Sequence, residues 1–345
     1  MVNIDKELSD KIKVMSFISA CFVVFIHAPH GDGLATYLVK DWIAGIAVPF
    51  FFIVSGFFWL NNYGNKGWWL DSLGKRFWTL FIPFLFINVV FFLVKYPIHY
   101  VAVNWFSADG SAEIMRITFA NFLLGISPLP DIGFPVYAPF WYIRALLIMM
   151  FVSPLLMWII KRSKLTCSCY IVGLLILWIG ASYMFNAAGM DVGKHFEYEF
   201  SPRCWFYFSL GMAIRYWGRV KISKISALLC GVLGASFHLL SFTCPRLGII
   251  LNILSLMFVL ASIWGMLPSV RCKSFACDSF SVYAFHFMVI YLLGAAVKAV
   301  KLGSILNTEL GMLMMVCCSV LLSCMLGGLV RRHSPLLTRL FLGGR

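Results

Sequence analysis

Charged residues, and acidic ones above all, are scarce in this chain. Only 12% of its 345 residues are charged, 14 of them acidic, whereas 61% are hydrophobic. Ordinary soluble domains carry roughly 25% charged residues. The acids lie in predicted loops or at predicted helix ends, which disfavours a pump driven by carboxylates within the membrane. Together with a mean hydropathy of +0.88, this composition indicates an integral membrane protein.

Metal-ligand motifs, disulfide frameworks and internal repeats are also missing. Most of the 11 cysteines fall within apolar stretches or among basic segments, and their spacing matches neither a metal site nor a disulfide scaffold. No repeat of the inverted-repeat transporter type is visible. The first apolar run lacks a small-residue cleavage site, so we expect a retained anchor rather than a removed signal. We therefore expect no metal and no tightly bound cofactor.

Apolar windows long enough to span a bilayer recur along the whole chain. They cover residues 14–31, 41–60, 77–95, 139–160, 168–187, 203–218, 224–242, 247–267, 279–299 and 310–330. The pattern predicts an all-α polytopic protein with about ten transmembrane helices in a single domain, 1–345. A long outer loop, 96–138, is predicted to contain an interfacial amphipathic helix, and residues 331–345 form a basic tail.

The net charge of +14 is distributed unevenly across the predicted membrane. With both termini inside, the inner segments carry 19 basic and 5 acidic residues, and the outer segments carry 8 basic and 9 acidic residues. Arg144 is left within a span. This positive-inside bias predicts cytoplasmic termini and explains the basic charge without nucleic-acid binding.

His27 is the first ionisable residue placed within a predicted span. At 3.6 residues per turn it shares a helix face with Val23, Ala20 and Ser16, whose modest side chains leave room for a ligand or a neighbouring helix. An ionisable residue inside the membrane is a functional candidate, although a histidine that only hydrogen-bonds a neighbouring helix fits the same pattern. Asp32, just beyond the span, either orients an imidazole or faces water.

A second histidine, His286, lies within the ninth span, at a depth that helix rise puts about 10 Å from the inner boundary. Two such histidines are harder to explain by packing than one. By the same measure, His27 and Arg144 are expected near the outer boundary. His238, in the seventh span, is expected to be packed or to face a loop.

Other polar residues flank the spans and allow two readings each. Ser55 and Gly56 form a small-residue step that allows close helix approach, after Pro49, which is expected to kink the span. Lys75 and Arg76 obey the positive-inside rule and are also placed to bind an anionic cytosolic ligand.

The outer halves of two further spans carry candidates for substrate binding. Arg144 either snorkels outward or lies in an aromatic pocket with its neighbours Trp141 and Tyr142. Arg203 opens the sixth span beside a polar outer loop, where a hydrophilic acceptor would be held.

Six short runs, in this order, resemble the integral-membrane acyltransferase 3 family. They are KVMSFISACFVVFIHA, PFFFIVSGFFWL, KRFWTLFIPF, FWYIRALLIMMFVSPLL, PRCWFYFSLGMAIR and SFSVYAFH, and together they are spread over nearly the whole chain. The resemblance implies a multispan enzyme of the cell membrane, the bacterial inner membrane. It implies transfer of an acyl group, often acetyl, from coenzyme A on the cytoplasmic side to a hydroxyl of a surface glycan or lipid-linked sugar.

The resemblance also implies roles for individual residues. His27 matches the histidine that the family carries in its first helix, and His286 matches the histidine of a late helix. Ser55 and Gly56 match the Ser-Gly step of the family, and Arg76 matches its basic residue in the third helix. The chain departs from the family at one position. Many members carry an arginine eleven residues before the first histidine, whereas this chain has Ser16 there. Lys11 or Lys13 is a candidate replacement.

Acyl transfer to an alcohol needs a base and stabilisation of an oxyanion. We expect His27 to be the base and place His286 and Arg144 in the catalytic set with it. The expected oxyanion partner is Arg144 or a backbone donor near Pro49. A route through a covalent acyl-histidine is the alternative mechanism. The expected donor site comprises Arg76, Lys75, Ser55 and Ser16. The expected acceptor site comprises Arg203, Tyr142, Trp141 and Asp32. The expected partners are acyl-CoA, the glycan acceptor and membrane lipids, and a transporter or flippase for a lipid-linked sugar is the alternative function.

Overall fold

A computed structural model describes residues 2, 4–29, 33–34, 36–106, 137–187, 201–218, 221–268 and 278–344. Every regular element in these ranges is helical, which confirms the all-α prediction. The longer helices are α1 Lys6–His27, α2 Ala47–Trp59, α3 Trp68–Arg76, α4 Ile82–Phe106, α5 Trp141–Ile160, α6 Lys164–Ala187, α7 Pro202–Trp217, α8 Lys224–Thr243, α9 Gly248–Met266, α10 Ser279–Ala299, α11 Glu309–His333 and α12 Pro335–Leu342. The interfacial helix expected within 96–138 lies largely outside the described residues.

Eight helical segments are long and apolar enough to cross a membrane, as far as the described residues show. They are Thr36–Asn62, Trp68–Lys95, Ala138–Ile160, Lys164–Ala187, Lys224–Thr243, Pro245–Met266, Ser279–Ala299 and Glu309–His333. Two more of the expected ten, α1 and α7, miss this criterion because α1 is charged in its first turns and α7 has only 16 residues. The chain is thus a multi-pass membrane protein, and the count of ten and the side of the termini stay predictions.

The second span is irregular before α2 begins. A π-helix, Thr36–Trp42, leads into a 3₁₀ turn, Ile43–Ile46, and only then into α2. Pro49 therefore lies in the first turn of α2, where a backbone N–H has no partner within the helix in any case. Pro49 has no N–H to donate to the carbonyl of Gly45, four residues earlier, and Gly45 lies in the 3₁₀ turn. The irregular backbone before α2 therefore agrees with the disturbance expected from Pro49.

Burial separates a central group of helices from a peripheral one. The segments Thr36–Asn62 and Ala138–Ile160 are each 56% buried over their most apolar stretch, whereas α6 and α8 are 11% buried. Helix α1 packs against α2 and α10, and α7 packs against α2. The centre of the molecule is therefore built around α1, α2, α5, α7 and α10.

Two glycines allow α2 and α7 to cross with their backbones in contact. A Cβ atom at Gly56 would collide with the carbonyl oxygen of Phe208, and one at Gly211 with the carbonyl oxygen of Ile53. Small residues permit this approach between membrane helices. The close approach expected at the Ser55–Gly56 step is thus present, and it fixes the face of α2 that carries Ser55.

Candidate active site

The imidazoles of His27 and His286 lie side by side at the centre of the helix bundle. His27 is the last residue of α1, and His286 lies two turns into α10. Their ring centroids are 5.4 Å apart with an interplanar angle of 40°. Two residues separated by more than 250 positions thus form one site.

This proximity shows that the separate depths expected for the two histidines are wrong. Helix α10 begins seven residues before His286, whereas α1 rises 11 residues from Ser16 to His27. Because the two imidazoles lie side by side, α10 begins roughly 6 Å deeper in the bundle than Ser16. Counting helix rise from each predicted boundary therefore misplaced His286 relative to His27.

The backbone of α10 fixes one nitrogen of His286. Its Nδ1 lies 2.9 Å from the carbonyl oxygen of Tyr283 and 3.0 Å from that of Val282. A carbonyl only accepts, so Nδ1–H is the donor and the neutral ring carries its lone pair on Nε2. This Nε2 is buried and has no hydrogen-bond partner among the described residues. The site thus holds an imidazole whose basic nitrogen is not engaged.

His27 is half-buried and lies between an aromatic ring and a cation. The ring of Phe287 meets it edge-on, with centroids 5.2 Å apart. Next to it, the Nζ atom of Lys40 donates to the carbonyl oxygen of Ala28 at 3.1 Å. This contact places a positive charge at the carboxyl end of α1, where the helix dipole favours it.

A cavity of about 230 Å³ reaches Tyr283, whose ring centroid is 6.3 Å from that of His286. Residues from α1, α2, α5, α10 and the start of the third span line it. Its polar wall consists of Ser16, Ser55, Arg76, Tyr142 and Ser279. Three of the four residues expected at the donor site, Ser16, Ser55 and Arg76, therefore share one wall.

The cavity is elongated along the helices. On α5 it runs from Met150 to Tyr142, about 12 Å at 1.5 Å per residue. On α10 it ends at Tyr283, whose carbonyl holds His286. Arg76 thus lines the same cavity as Tyr283, one helical turn from His286, and neither imidazole is part of the cavity wall.

Tyr142 ties α5 to α2 at the cavity wall. Its hydroxyl donates to the carbonyl oxygen of Phe51 at 3.0 Å and lies 2.8 Å from the Ser55 hydroxyl. Ser55 is therefore both a packing residue, as the small-residue step predicts, and a hydroxyl of the cavity wall. Its two readings are not exclusive.

Several expected site residues lie away from this cavity. Lys75 is exposed and does not line it. Trp141 packs on Phe52, with centroids 6.3 Å apart. Arg203 lies over the ring of Trp178 at 5.9 Å, so its known contact is with α6.

Two further expectations have different outcomes. Arg144 is only 3% exposed, so the outward snorkelling considered from sequence does not occur. It is not among the residues that line the cavity, and an oxyanion role for it stays a prediction. Asp32 lies outside the described residues.

Neither candidate replacement for the family arginine reaches the cavity. Lys11 lies over the ring of Trp264, with Nζ 4.9 Å from its centroid, and Lys13 pairs with Asp10 at 3.3 Å. Arg76 is the cation that lines the cavity, within the described residues.

Sequence reasoning missed the residues that surround His286. Tyr137 is fully buried, and its ring centroid is 6.5 Å from that of His286. Its hydroxyl accepts the backbone N–H of Phe287 at 3.2 Å, and its own N–H donates to Oδ1 of Asn88 at 2.9 Å. Asn88, an amide within an apolar run of α4, was the available signal, because a buried amide needs partners.

Comparisons with known proteins agree with this architecture. The model of the acyltransferase 3 family, described as an acyltransferase domain, matches residues 10–324. Searches against curated proteins and against solved structures found no match. The matched region contains both histidines, Arg76 and the whole of the cavity. The chain therefore belongs to the acyltransferase 3 family of membrane acyltransferases.

Proposed function

We propose that this protein transfers an acetyl or other short acyl group from acyl-CoA to a hydroxyl of a surface polysaccharide or lipid-linked sugar. The observation that carries the proposal is the pair of imidazoles of His27 and His286, 5.4 Å apart, one helical turn from Tyr283 in the wall of the cavity that Arg76 also lines. A cation suited to a phosphate and a base suited to an alcohol thus lie in the same part of the bundle.

The size and polarity of the cavity suit the thioester arm of the donor. At about 230 Å³ it is smaller than the roughly 300–1,000 Å³ of pockets that enclose a drug-sized ligand. An acyl-pantetheine arm is narrow and carries amide groups, which the hydroxyls of Ser16, Ser55 and Tyr142 are able to bind. In this proposal the nucleotide stays outside, and Arg76 binds a phosphate near the entrance.

The proposed chemistry needs one base and one leaving group. The imidazole of His27 takes the proton of the acceptor hydroxyl while the oxygen attacks the thioester carbonyl. The new C–O bond forms, the C–S bond breaks, and the proton passes to the departing thiolate. Coenzyme A leaves as the free thiol, and His27 returns to its neutral form.

His286 supports this step through its fixed tautomer. With Nδ1–H held by backbone carbonyls, its Nε2 offers a lone pair next to a neighbour that becomes positive. Stabilising a developing imidazolium is the role that a buried acceptor takes in catalytic triads. His286 is thus proposed to orient His27 and to stabilise its charged form.

Radiolabelled acyl transfer by the purified protein tests the proposal. The protein is placed in lipid nanodiscs with [¹⁴C]acetyl-CoA and a lipid-linked oligosaccharide, and label is counted on the sugar. We expect transfer by the wild type and its loss in His27→Ala, which should still bind the donor. The alternative is tested with the protein in closed lipid vesicles. Movement of the sugar lipid from one leaflet to the other, with no transfer of label in the nanodisc assay, would instead favour the flippase.

A further inference from the structure

A second cavity lies on another face of α2 from the candidate active site. It measures about 290 Å³ and lies between α1, α2, α7 and α9. Its walls are apolar almost throughout, with Phe50, Phe57, Leu210 and Trp264 among the larger side chains. Val54 lines both this cavity and the first. A cavity with such walls suits an alkyl chain.

This cavity adjoins a recess on the outer surface of the bundle. The recess lies between α6 and α7 and shares Leu210 and Ile214 with the cavity. Its other wall includes Val172, which is 52% exposed. Apolar side chains exposed on the outside of a membrane bundle face lipid. The side chains of Leu210 and Ile214 thus lie between the cavity and a surface that faces lipid.

Three cations lie over aromatic rings of the cavity and the recess. The pairs are Lys11 over Trp264 at 4.9 Å, Arg215 over Phe57 at 5.0 Å and Lys164 over Trp217 at 5.9 Å. Cations held over aromatic rings keep their charge while their apolar stems cover the wall. The cavity thus has an apolar interior and a cationic rim.

The three cations lie at the same face of the membrane. The N–H of Val2 donates to the carbonyl of Arg215 at 2.8 Å, which joins the segment before α1 to the end of α7. The indole of Trp217 donates to the carbonyl of Ile160 at 2.7 Å, next to the turn that leads to Lys164. This is the face predicted to be cytoplasmic.

We propose that this cavity binds one anionic phospholipid, with an acyl chain in the second cavity and the phosphate at the three cations. Basic pockets between membrane helices on the cytoplasmic side recognise anionic headgroups, and ammonium and guanidinium groups form charge-assisted bonds to phosphate. The site is separate from the donor cavity, where Arg76 is the lining cation, and the proposal does not depend on the acyl-transfer chemistry.

Photocrosslinking with a lipid of known headgroup tests this site. Full-length protein is placed in phosphatidylcholine nanodiscs that contain a trace of phosphatidylglycerol with a diazirine on its acyl chain. Labelled peptides are then mapped by mass spectrometry. We expect label on α7 and α9, and at least tenfold less label when the same diazirine is carried by phosphatidylcholine.

Two pairs of variants separate the chain site from the headgroup site. Ala261→Phe fills the cavity and should reduce labelling by about tenfold, whereas Ala296→Phe, on an exposed face of α10, should not. Lys11→Gln should reduce the preference for phosphatidylglycerol at least threefold, whereas Lys66→Gln, at an exposed turn, should leave it unchanged.

Three results would overturn the site. The first is label that Ala261→Phe does not reduce, and the second is equal labelling by the two lipids in the wild type. The third is displacement of the label by a long-chain acyl-CoA at micromolar concentration, which would assign the cavity to the donor's chain. If Ala261→Phe does not fold, the wild-type map decides alone, because label confined to exposed faces such as α11 contradicts the proposal.

Discussion

Two histidine clusters within the membrane helices differ in how many of their nitrogen atoms are engaged. In the cluster around His238, Nδ1 donates to Oδ1 of Asn252 at 3.2 Å and Nε2 accepts from the hydroxyl of Tyr37 at 2.6 Å. The ring of Trp42 stacks on it at 4.3 Å with an interplanar angle of 2°. In the other cluster, His286 has its Nδ1 engaged and its Nε2 without a partner among the described residues.

The difference is the one expected between a structural histidine and a catalytic one. Every polar atom of the His238 ring has a partner, which is the usual condition of a buried polar group. An unpartnered buried nitrogen costs free energy, and such exceptions cluster at sites where a substrate or proton supplies the missing partner. His238 is thus packed, as one of its two sequence-based readings expected, whereas the pair of His27 and His286 has the features of a reaction site.

The largest effect expected from this comparison is on His27. His27→Ala should reduce acyl transfer roughly 10²–10⁴-fold, the usual contribution of a positioned general base. Donor binding should persist, because Arg76 and the cavity wall remain. Initial rates with [¹⁴C]acetyl-CoA and equilibrium binding of the same donor measure the two effects separately.

The pH profile gives an independent check on the same variant. A base must be neutral to act, so the wild-type rate should rise with pH as the imidazole loses its proton. The His27→Ala profile should lack this limb. A folded His27→Ala protein that transfers within a few-fold of wild type, with the limb intact, would assign the base to another residue.

A smaller effect is expected at His286, and two substitutions resolve its two nitrogens. His286→Asn retains an N–H donor near the position of Nδ1, whereas His286→Gln places an amide oxygen near the position of Nε2. If the free Nε2 stabilises His27, the asparagine variant should lose about 10–100-fold in transfer rate, roughly 1.4–2.7 kcal/mol, and the glutamine variant less. Equal losses in both variants would indicate a packing role only.

Arg76 is expected to act on binding rather than on the rate of the chemical step. Removing a charged hydrogen bond to a phosphate costs roughly 1.5–3 kcal/mol, so Arg76→Ala should weaken acyl-CoA binding by about 10–100-fold. Calorimetric titration measures this directly.

The neighbouring Lys75 serves as the matched control for Arg76. It is exposed and does not line the cavity, although the sequence placed both residues at the donor site. Lys75→Ala should change the dissociation constant by less than threefold. An Arg76→Ala protein that binds as tightly as Lys75→Ala would remove Arg76 from the donor site.

Local patterns predicted the helices well because each apolar window reports its own burial. Residues adjacent in sequence were enough to predict the all-α membrane fold and the close helix approach at Gly56. They were also enough to select Arg76 as a candidate donor-site residue. The pairing of His27 with His286 does not, because it depends on where α10 begins relative to α1. The position of α10 along the axis of α1 is set by packing between the helices. A single apolar window of the sequence carries no information about that packing.

The same reason explains which residues of the site were missed. Tyr137 lies near His286 with its backbone N–H bound by Asn88 of α4 and its hydroxyl bound by the N–H of Phe287 of α10. Lys40 reaches the end of α1 from a π-helix that the apolar pattern does not distinguish from an α-helix. Conversely, Arg203 and Trp141 carry the right chemistry at the right end of their spans but face other helices. Residue type and depth alone do not determine the direction of a side chain.

The smallest effect on activity is expected at His238, where a loss should appear as stability instead. His238→Phe keeps an aromatic ring against Trp42 but removes the acceptor for the Tyr37 hydroxyl. Losing the partner of a part-buried hydroxyl costs about 1–3 kcal/mol, so the variant should denature at a lower temperature in detergent. Transfer per folded molecule should stay within a few-fold of wild type, because neither the His27 pair nor the Arg76 cavity contacts this ring. A His238→Phe protein with wild-type thermal stability and a hundredfold loss of transfer would reverse the assignment, since it would show that full hydrogen bonding does not mark a structural histidine here.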